Sequence, residues 1–318
     1  MREKKIIYAP IFVSVIMILV LVSENIINTA VANGADYYLS LVVVRLIVYM
    51  LPLAFFCKVR NVIFFKSLKF NLFSYRYFFL TLCLAFMFVV GIMLFLFADL
   101  YYFEGNIYAA YVKPYVFNSE SEHIYAVLGL VIIPAFVEEL LFRGTVLSEY
   151  RSYGAVWSII MSTLLFAIAS MSFSDFPKLL YVGLFFGIIG AVTASVIPSV
   201  VLHIIYNAFD IYAESMVVNY MKKISDSAMP LFILGLMLLL LMFFALAVLE
   251  SIYRKKALDC EQENEIIKKL TALDEAKNKK KNTKTQKNFS QTAAELLLSP
   301  AFLVSVAIFV ITAVVNKL

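Results

Sequence analysis

Pro134-Ala135-Phe136-Val137-Glu138-Glu139-Leu140-Leu141-Phe142-Arg143-Gly144 sets two adjacent carboxylates and an arginine at the end of an apolar run, and Ile124 to Val137 ahead of them carry no charge. Ionisable groups in membrane-length segments are costly and are kept mainly where a partner or a function stabilises them. The stretch therefore points to chemistry inside a bilayer. Composition agrees: of 318 residues, 63% are hydrophobic and 15% charged, with a mean hydropathy of +0.88. A soluble domain is about half apolar and a quarter charged. The net charge of +5 is accordingly read by position, as a topology signal, and implies no nucleic-acid surface.

Working outward, segments of bilayer-spanning length, about 20 residues, fall at 6–24, 37–57, 77–98, 122–142, 153–173, 178–197, 228–251 and 298–316. The shorter stretch 198–213 carries His203 and Asn207 and reads as a buried helix of a bundle. The fold class is all-α, a polytopic transmembrane bundle of eight or nine helices. Its expected organisation is N-terminal membrane helices over 1–121, a core over 122–213, a further span over 214–253, a polar charged insert over 254–297 and a last span over 298–318. Within the insert the first half reads as helical and Lys277 to Lys287 as disordered. Basic residues cluster after the second and fourth spans and from Arg254 to Lys287, while acidic loops hold Glu24, Asp36, Asp99, Glu104, Glu120 and Glu122. By the positive-inside rule the N-terminus is cytoplasmic and Glu138-Glu139 lie toward the cytoplasmic end of their span. The first helix, with no A-x-A site, reads as retained. A bacterial plasma membrane suits the loop lengths and the lysine- and asparagine-rich insert. Cys57, Cys83 and Cys260 have neither metal nor disulfide spacing.

Successive helical residues point about 100° apart, whereas i and i+4 share a face. Glu139 and Arg143 can therefore pair along one face, which leaves Glu138 free to face the interior as a general base acting on water. The plainer reading of the trio is an ion pair anchoring the end of a helix. His203 and Asn207 repeat the i, i+4 relation and can both donate to a developing oxyanion; taken alone, a membrane histidine is usually a satisfied interhelical hydrogen bond. No cofactor is implied. Zinc takes three or four ligands, the chain has two histidines, and His123 lies fifteen residues before Glu138, about 22 Å along a helix. Asp210 and Glu214 read as capping or solvating the outer end, and Asp175-Phe176-Pro177 as a turn with Pro177 opening the next helix.

Glu138-Glu139-Leu140-Leu141-Phe142-Arg143-Gly144 resembles the EExxxR motif of the CAAX-protease and bacteriocin-processing (CPBP) intramembrane endopeptidases. Gly183-Leu184-Phe185-Phe186-Gly187, Thr193-Ala194-Ser195 and His203-Ile204-Ile205-Tyr206-Asn207 resemble that family's glycine-rich helix and HxxxN/D motif, in order and at the right spacing, over about 122–213. Where the family has FxxxH, this chain has Phe166-Ala167-Ile168-Ala169-Ser170; where the family commonly has Thr-Gly-Ser, it has Thr193-Ala194-Ser195. The resemblance implies Glu138 as general base, Glu139 with Arg143 as the supporting pair, and His203 and Asn207 holding the water or the tetrahedral oxyanion. Ser170 would stand where a histidine helps to activate water, and serine cannot act as a base near pH 7. Family members are described both as metalloproteases and as glutamic proteases, and the two-histidine content favours the metal-free form.

Two readings follow. The chain is an endopeptidase acting on membrane-associated or lipidated peptides near the cytoplasmic face, in contact with membrane lipid. Alternatively it is a catalytically impaired relative that binds a membrane protein partner as an immunity or regulatory protein, which Ser170 favours. A transporter is a weaker third, since the chain lacks an internal repeat or paired broken helices.

Overall fold

The computed structural model describes residues 7–59, 75–109, 112, 114–271 and 289–315, and among these every regular element is helical. The tract Lys277 to Lys287, expected to be disordered, and most of the basic loop after the second span lie outside the described residues. In chain order the helices are α1 (Ala9–Ala32), α2 (Tyr37–Val59), α3 (Tyr75–Phe103), α4 (Glu120–Tyr153), α5 (Ala155–Ile168), α6 (Phe176–Thr193), α7 (Ile197–Tyr212), α8 (Glu214–Lys222), α9 (Met229–Thr271), α10 (Phe289–Leu297) and α11 (Pro300–Val315). Six are long and apolar enough to cross a membrane: α1, α2, α3, α4, α6 and α9 over its first 27 residues, Met229–Lys255. The bent pair α10 and α11, at 58°, passes the same test only when taken together. The protein is a polytopic helical membrane protein.

Three expectations change. The span foreseen at 153–173 is the 14-residue helix α5, about 21 Å long at 1.5 Å per residue against a hydrocarbon core of about 30 Å. Its chain turns at Ala169-Ser170-Met171, where Met171 takes a left-handed conformation (φ 55°). Serines there offer the backbone rival hydrogen bonds: Ser170 Oγ donates to the Ala167 carbonyl at 2.7 Å, and Ser172 Oγ accepts from Asp175 N at 3.3 Å. The last span bends just before Pro300, because a residue preceding proline is pushed out of the helical region. Asp99 and Glu214, read as loop acids, are buried; their partners are described with the site below.

α4 is the positioning element. It contacts α2, α5, α6 and α7, while α1 packs on α2 and α11, and α3 on α9. Two stretches of α4, Val127–Ile132 and Leu140–Val146, wind as π-helix. The first ends just before Pro134, which has no N–H to donate and whose ring crowds the preceding turn. Widening relieves that crowding, and π-turns of this kind recur at functional sites. Gly129 in the same stretch allows close approach of α2: a Cβ there would stand 3.2 Å from the Tyr38 carbonyl oxygen. α1 is tied to the far end of α4 by Glu149, which accepts from the Tyr8 and Ala9 amides at 3.1 and 2.7 Å.

Candidate active site

The site lies where α4, α6 and α7 meet below the end of α5. Arg143 Nη1 reaches Glu139 Oε1 at 2.8 Å, an i, i+4 pair in which Glu139 is 0% exposed. The second π-helical stretch of α4 carries Arg143 immediately after the two glutamates. Its guanidinium donates a further bond to the Gly183 carbonyl at 2.9 Å and stacks over Phe166 and Phe186, 4.7 and 5.2 Å from the ring centroids. A side chain at Gly183 would lie 2.8 Å from the Phe166 ring, so the close approach of α6 needs glycine there. The cation is thus desolvated yet held by one carboxylate, one carbonyl and aromatic faces.

His203 adds what the spacing in α4 does not reveal. Its Nδ1 lies 2.9 Å from the same Glu139 Oε1. A carboxylate accepts, so Nδ1 carries the proton, and Nε2 is left to face the cavity. Stacking on Phe186 (4.9 Å, 24°) and edge contact with Phe166 (5.7 Å, 90°) fix the plane of the ring. Nε2 faces Glu138 Oε2 at 3.9 Å. That is too long for a hydrogen bond and suits one water bridging both atoms. Glu138, its side chain 20% exposed, lines a cavity of about 290 Å³ with His203, Phe166, Ser170, Tyr206 and Asn207.

Asn207 shares the cavity wall, but its amide donates to the Val131 carbonyl at 3.2 Å, in the first π-helical stretch. Ser170 also lines the cavity with its hydroxyl proton committed to Ala167. His123 stands apart, 2.5 Å from the Tyr212 hydroxyl. As a metal centre the donor set fits poorly. Glu139 and His203 Nδ1 satisfy each other, leaving Glu138 and Nε2, and among the described residues no three His, Cys, Asp or Glu side chains gather around one point; zinc takes three or four ligands.

Sequence reading missed several residues here. Arg45 and Tyr49 of α2 line the same cavity as Glu138. Arg45 was visible by the criterion that singled out Glu138, a charge within an apolar span. Lys178, early in α6, is buried and donates to Asp210 (3.0 Å), Glu214 (3.4 Å) and the Tyr108 hydroxyl. The expected solvent-facing role is therefore corrected for Glu214, which is buried; Asp210 pairs with Lys178 while its side chain stays 31% exposed. Asp99 accepts the amides of Ile107, Tyr108 and Ala109 at 2.7–3.0 Å and so positions Tyr108. Burial pushes the Glu214 carboxyl up to about 7 despite Lys178, and burial likewise raises Tyr108. A second cavity of about 460 Å³ lies over this cluster and shares Tyr115, Asp175, Lys178 and Asp210 with the first.

Residues 120–209 match the family described as Type II CAAX prenyl endopeptidase Rce1-like. No curated protein and no solved structure matches the chain. The matched segment runs from the start of α4 almost to the end of α7 and contains the whole Glu138–Glu139–Arg143–His203 constellation. This core, with its ordered motifs among membrane helices, is thus similar over residues 120–209 to a family of CAAX-type membrane proteases.

Proposed function

We propose that the protein is a glutamic-type intramembrane endopeptidase that hydrolyses membrane-associated or lipidated peptides near the cytoplasmic face. The observation that carries this reading is the 3.9 Å gap between Glu138 Oε2 and His203 Nε2, with Glu139 fixing His203 from behind. A water held between them gives its proton to Glu138 as its oxygen attacks the scissile carbonyl. Glu138 then delivers that proton to the departing amine, and the C–N bond breaks. Glu139 and Arg143 orient the imidazole and balance charge; they touch neither water nor peptide. Asn207 braces α7 against the π-helical stretch of α4. The cytoplasmic setting rests on the distribution of basic loops.

A second reading, a catalytically impaired relative that serves as a membrane binding, immunity or regulatory protein, is favoured by Ser170, whose hydroxyl is turned to the Ala167 carbonyl. The two separate in nanodiscs with a library of quenched lipidated peptides. Wild type should cleave and Glu138→Ala should not, a loss of about 10²–10⁴-fold for a general base. Ser170→His should raise the rate about tenfold or more. A silent wild type beside an active Ser170→His protein would favour the impaired relative.

A further inference from the structure

The hydrolytic reading needs hydrogen-bond donors on the far side of the scissile carbonyl, where negative charge gathers on oxygen. Most donors around the cavity are committed elsewhere. His203 gives its Nδ1 proton to Glu139, Ser170 its hydroxyl proton to Ala167, and Asn207 one amide proton to Val131. Lys178 serves Tyr108, Asp210 and Glu214 and lies 5.5 Å from the Tyr206 ring centroid. Against these stand Arg45 and Tyr49, which lie i, i+4 on α2 and so share a helix face. Both line the cavity that Glu138 and His203 line. Neither belongs to the family-matched segment 120–209. The close approach of α2 at Gly129 holds this face against α4.

We propose that Tyr49, with Arg45 one turn before it, is the oxyanion donor of this site, an inference that rests on the endopeptidase reading above. In this proposal the resting Tyr49 O–H donates to the Glu138 carboxylate, with which it shares the cavity wall. When water attacks, its proton passes to Glu138 and the π pair of the peptide carbonyl moves onto oxygen. A neutral carboxylic acid is a weaker acceptor than an alkoxide, so the Tyr49 O–H turns from Glu138 to the new oxyanion. Arg45 contributes charge from the same side. Collapse of the intermediate returns the electron pair to the carbonyl, expels the amine with the proton from Glu138, and returns Tyr49 to the carboxylate. One hydroxyl thereby positions the base before attack and stabilises the charge after it.

The test is Tyr49→Phe, which removes only the hydroxyl, together with Arg45→Gln, in full-length protein in nanodiscs. Two readouts are taken: cleavage of a quenched lipidated peptide that the wild type cuts, and binding of that peptide with its scissile amide replaced by a phosphinate, against binding of the parent peptide to Glu138→Ala backgrounds with and without Tyr49→Phe. An oxyanion donor is worth about 10²–10³-fold in kcat. Tyr49→Phe should therefore lower kcat by about that factor, leave KM within a few-fold, and weaken phosphinate binding at least tenfold while parent-peptide binding holds. Arg45→Gln should do the same to a smaller degree. Unchanged kcat and phosphinate binding, or equal weakening of both ligands, overturns the role of Tyr49 while the endopeptidase reading stands. If no library peptide is cut by wild type and the phosphinate binds no tighter than its parent, the endopeptidase reading falls and takes this inference with it.

Discussion

Two buried charge clusters sit two turns apart on α7, and they differ in what they leave open. His203 joins Glu138, Glu139 and Arg143; seven residues on, Asp210 joins Lys178, Glu214 and Tyr108. In the second cluster the lysine is surrounded by acceptors: two carboxylates and a phenol hydroxyl. In the first, one carboxylate is sealed between arginine and imidazole, while its neighbour faces Nε2 across 3.9 Å on a cavity wall. Burial of charge is common to both, so burial alone does not mark a catalytic centre. What sets the first apart is a carboxylate and an imidazole nitrogen that face each other across a cavity with room for a water between them. The second cluster joins the 107–109 turn, α6, α7 and α8 through Asp99 and Lys178.

If that contrast is right, the two clusters fail differently. Removing the lysine leaves Asp210 and Glu214 without their cation, and breaking a buried pair costs about 3–5 kcal/mol. Lys178→Met should therefore lower resistance to denaturant in mild detergent by about that amount, whereas Glu138→Ala should keep stability near wild type and lose cleavage. Adding Glu214→Gln to Lys178→Met should recover part of the loss. A Lys178→Met protein as stable as wild type would break the comparison.

A smaller effect follows from pH. Lys178, Asp210 and Tyr108 surround Glu214, whose carboxyl is pushed up to about 7 by burial. The native state then holds a proton that the unfolded chain, near the ordinary value of 4.5, has released. The contribution from Glu214 is fully present below 4.5 and is lost as pH rises toward 7. Wild type should thus lose thermal stability between pH 5 and pH 8 more steeply than Glu214→Gln, which mimics the protonated acid. Parallel curves would assign the pH dependence to other groups.

The same contrast explains what could be read from the chain. Glu138, Glu139 and Arg143 sit within six residues, and His203 and Asn207 within five, so helical spacing alone orders each set. The bond between Glu139 and His203 joins positions 64 residues apart and depends on packing that no local pattern encodes. Asp210 and Glu214 share an i, i+4 spacing, but Lys178 and Tyr108 come from distant segments, so the two acids read as capping or solvating the outer end until Lys178 is placed beside them. Arg45 is a different kind of omission: it is the charge inside the apolar span 37–57 and carries the same physical warning as Glu138. The span length was overestimated at α5, where the chain turns at Ala169-Ser170-Met171 and Ser170 bonds back to Ala167.

The smallest test lies on the connection between α6 and α7, which carries members of both clusters. Ala194 closes α6 in the left-handed conformation, at φ 51° and ψ 32°, which a Cβ disfavours by about 1–2 kcal/mol. The related family commonly has glycine at the middle of this Thr-x-Ser step, and the backbone here shows why: Thr193 Oγ1 accepts from the Ser195 amide at 3.2 Å, and that tight turn needs a positive φ between them. Ala194→Gly should stabilise the fold by about 1 kcal/mol, read from denaturant midpoints, because the strain it relieves exceeds the entropy glycine adds to the unfolded chain. If the turn only connects the clusters, cleavage should stay within twofold of wild type. A variant that gains stability but loses cleavage would instead show that strain at Ala194 sets the register of α7, and hence the 3.9 Å gap between His203 and Glu138.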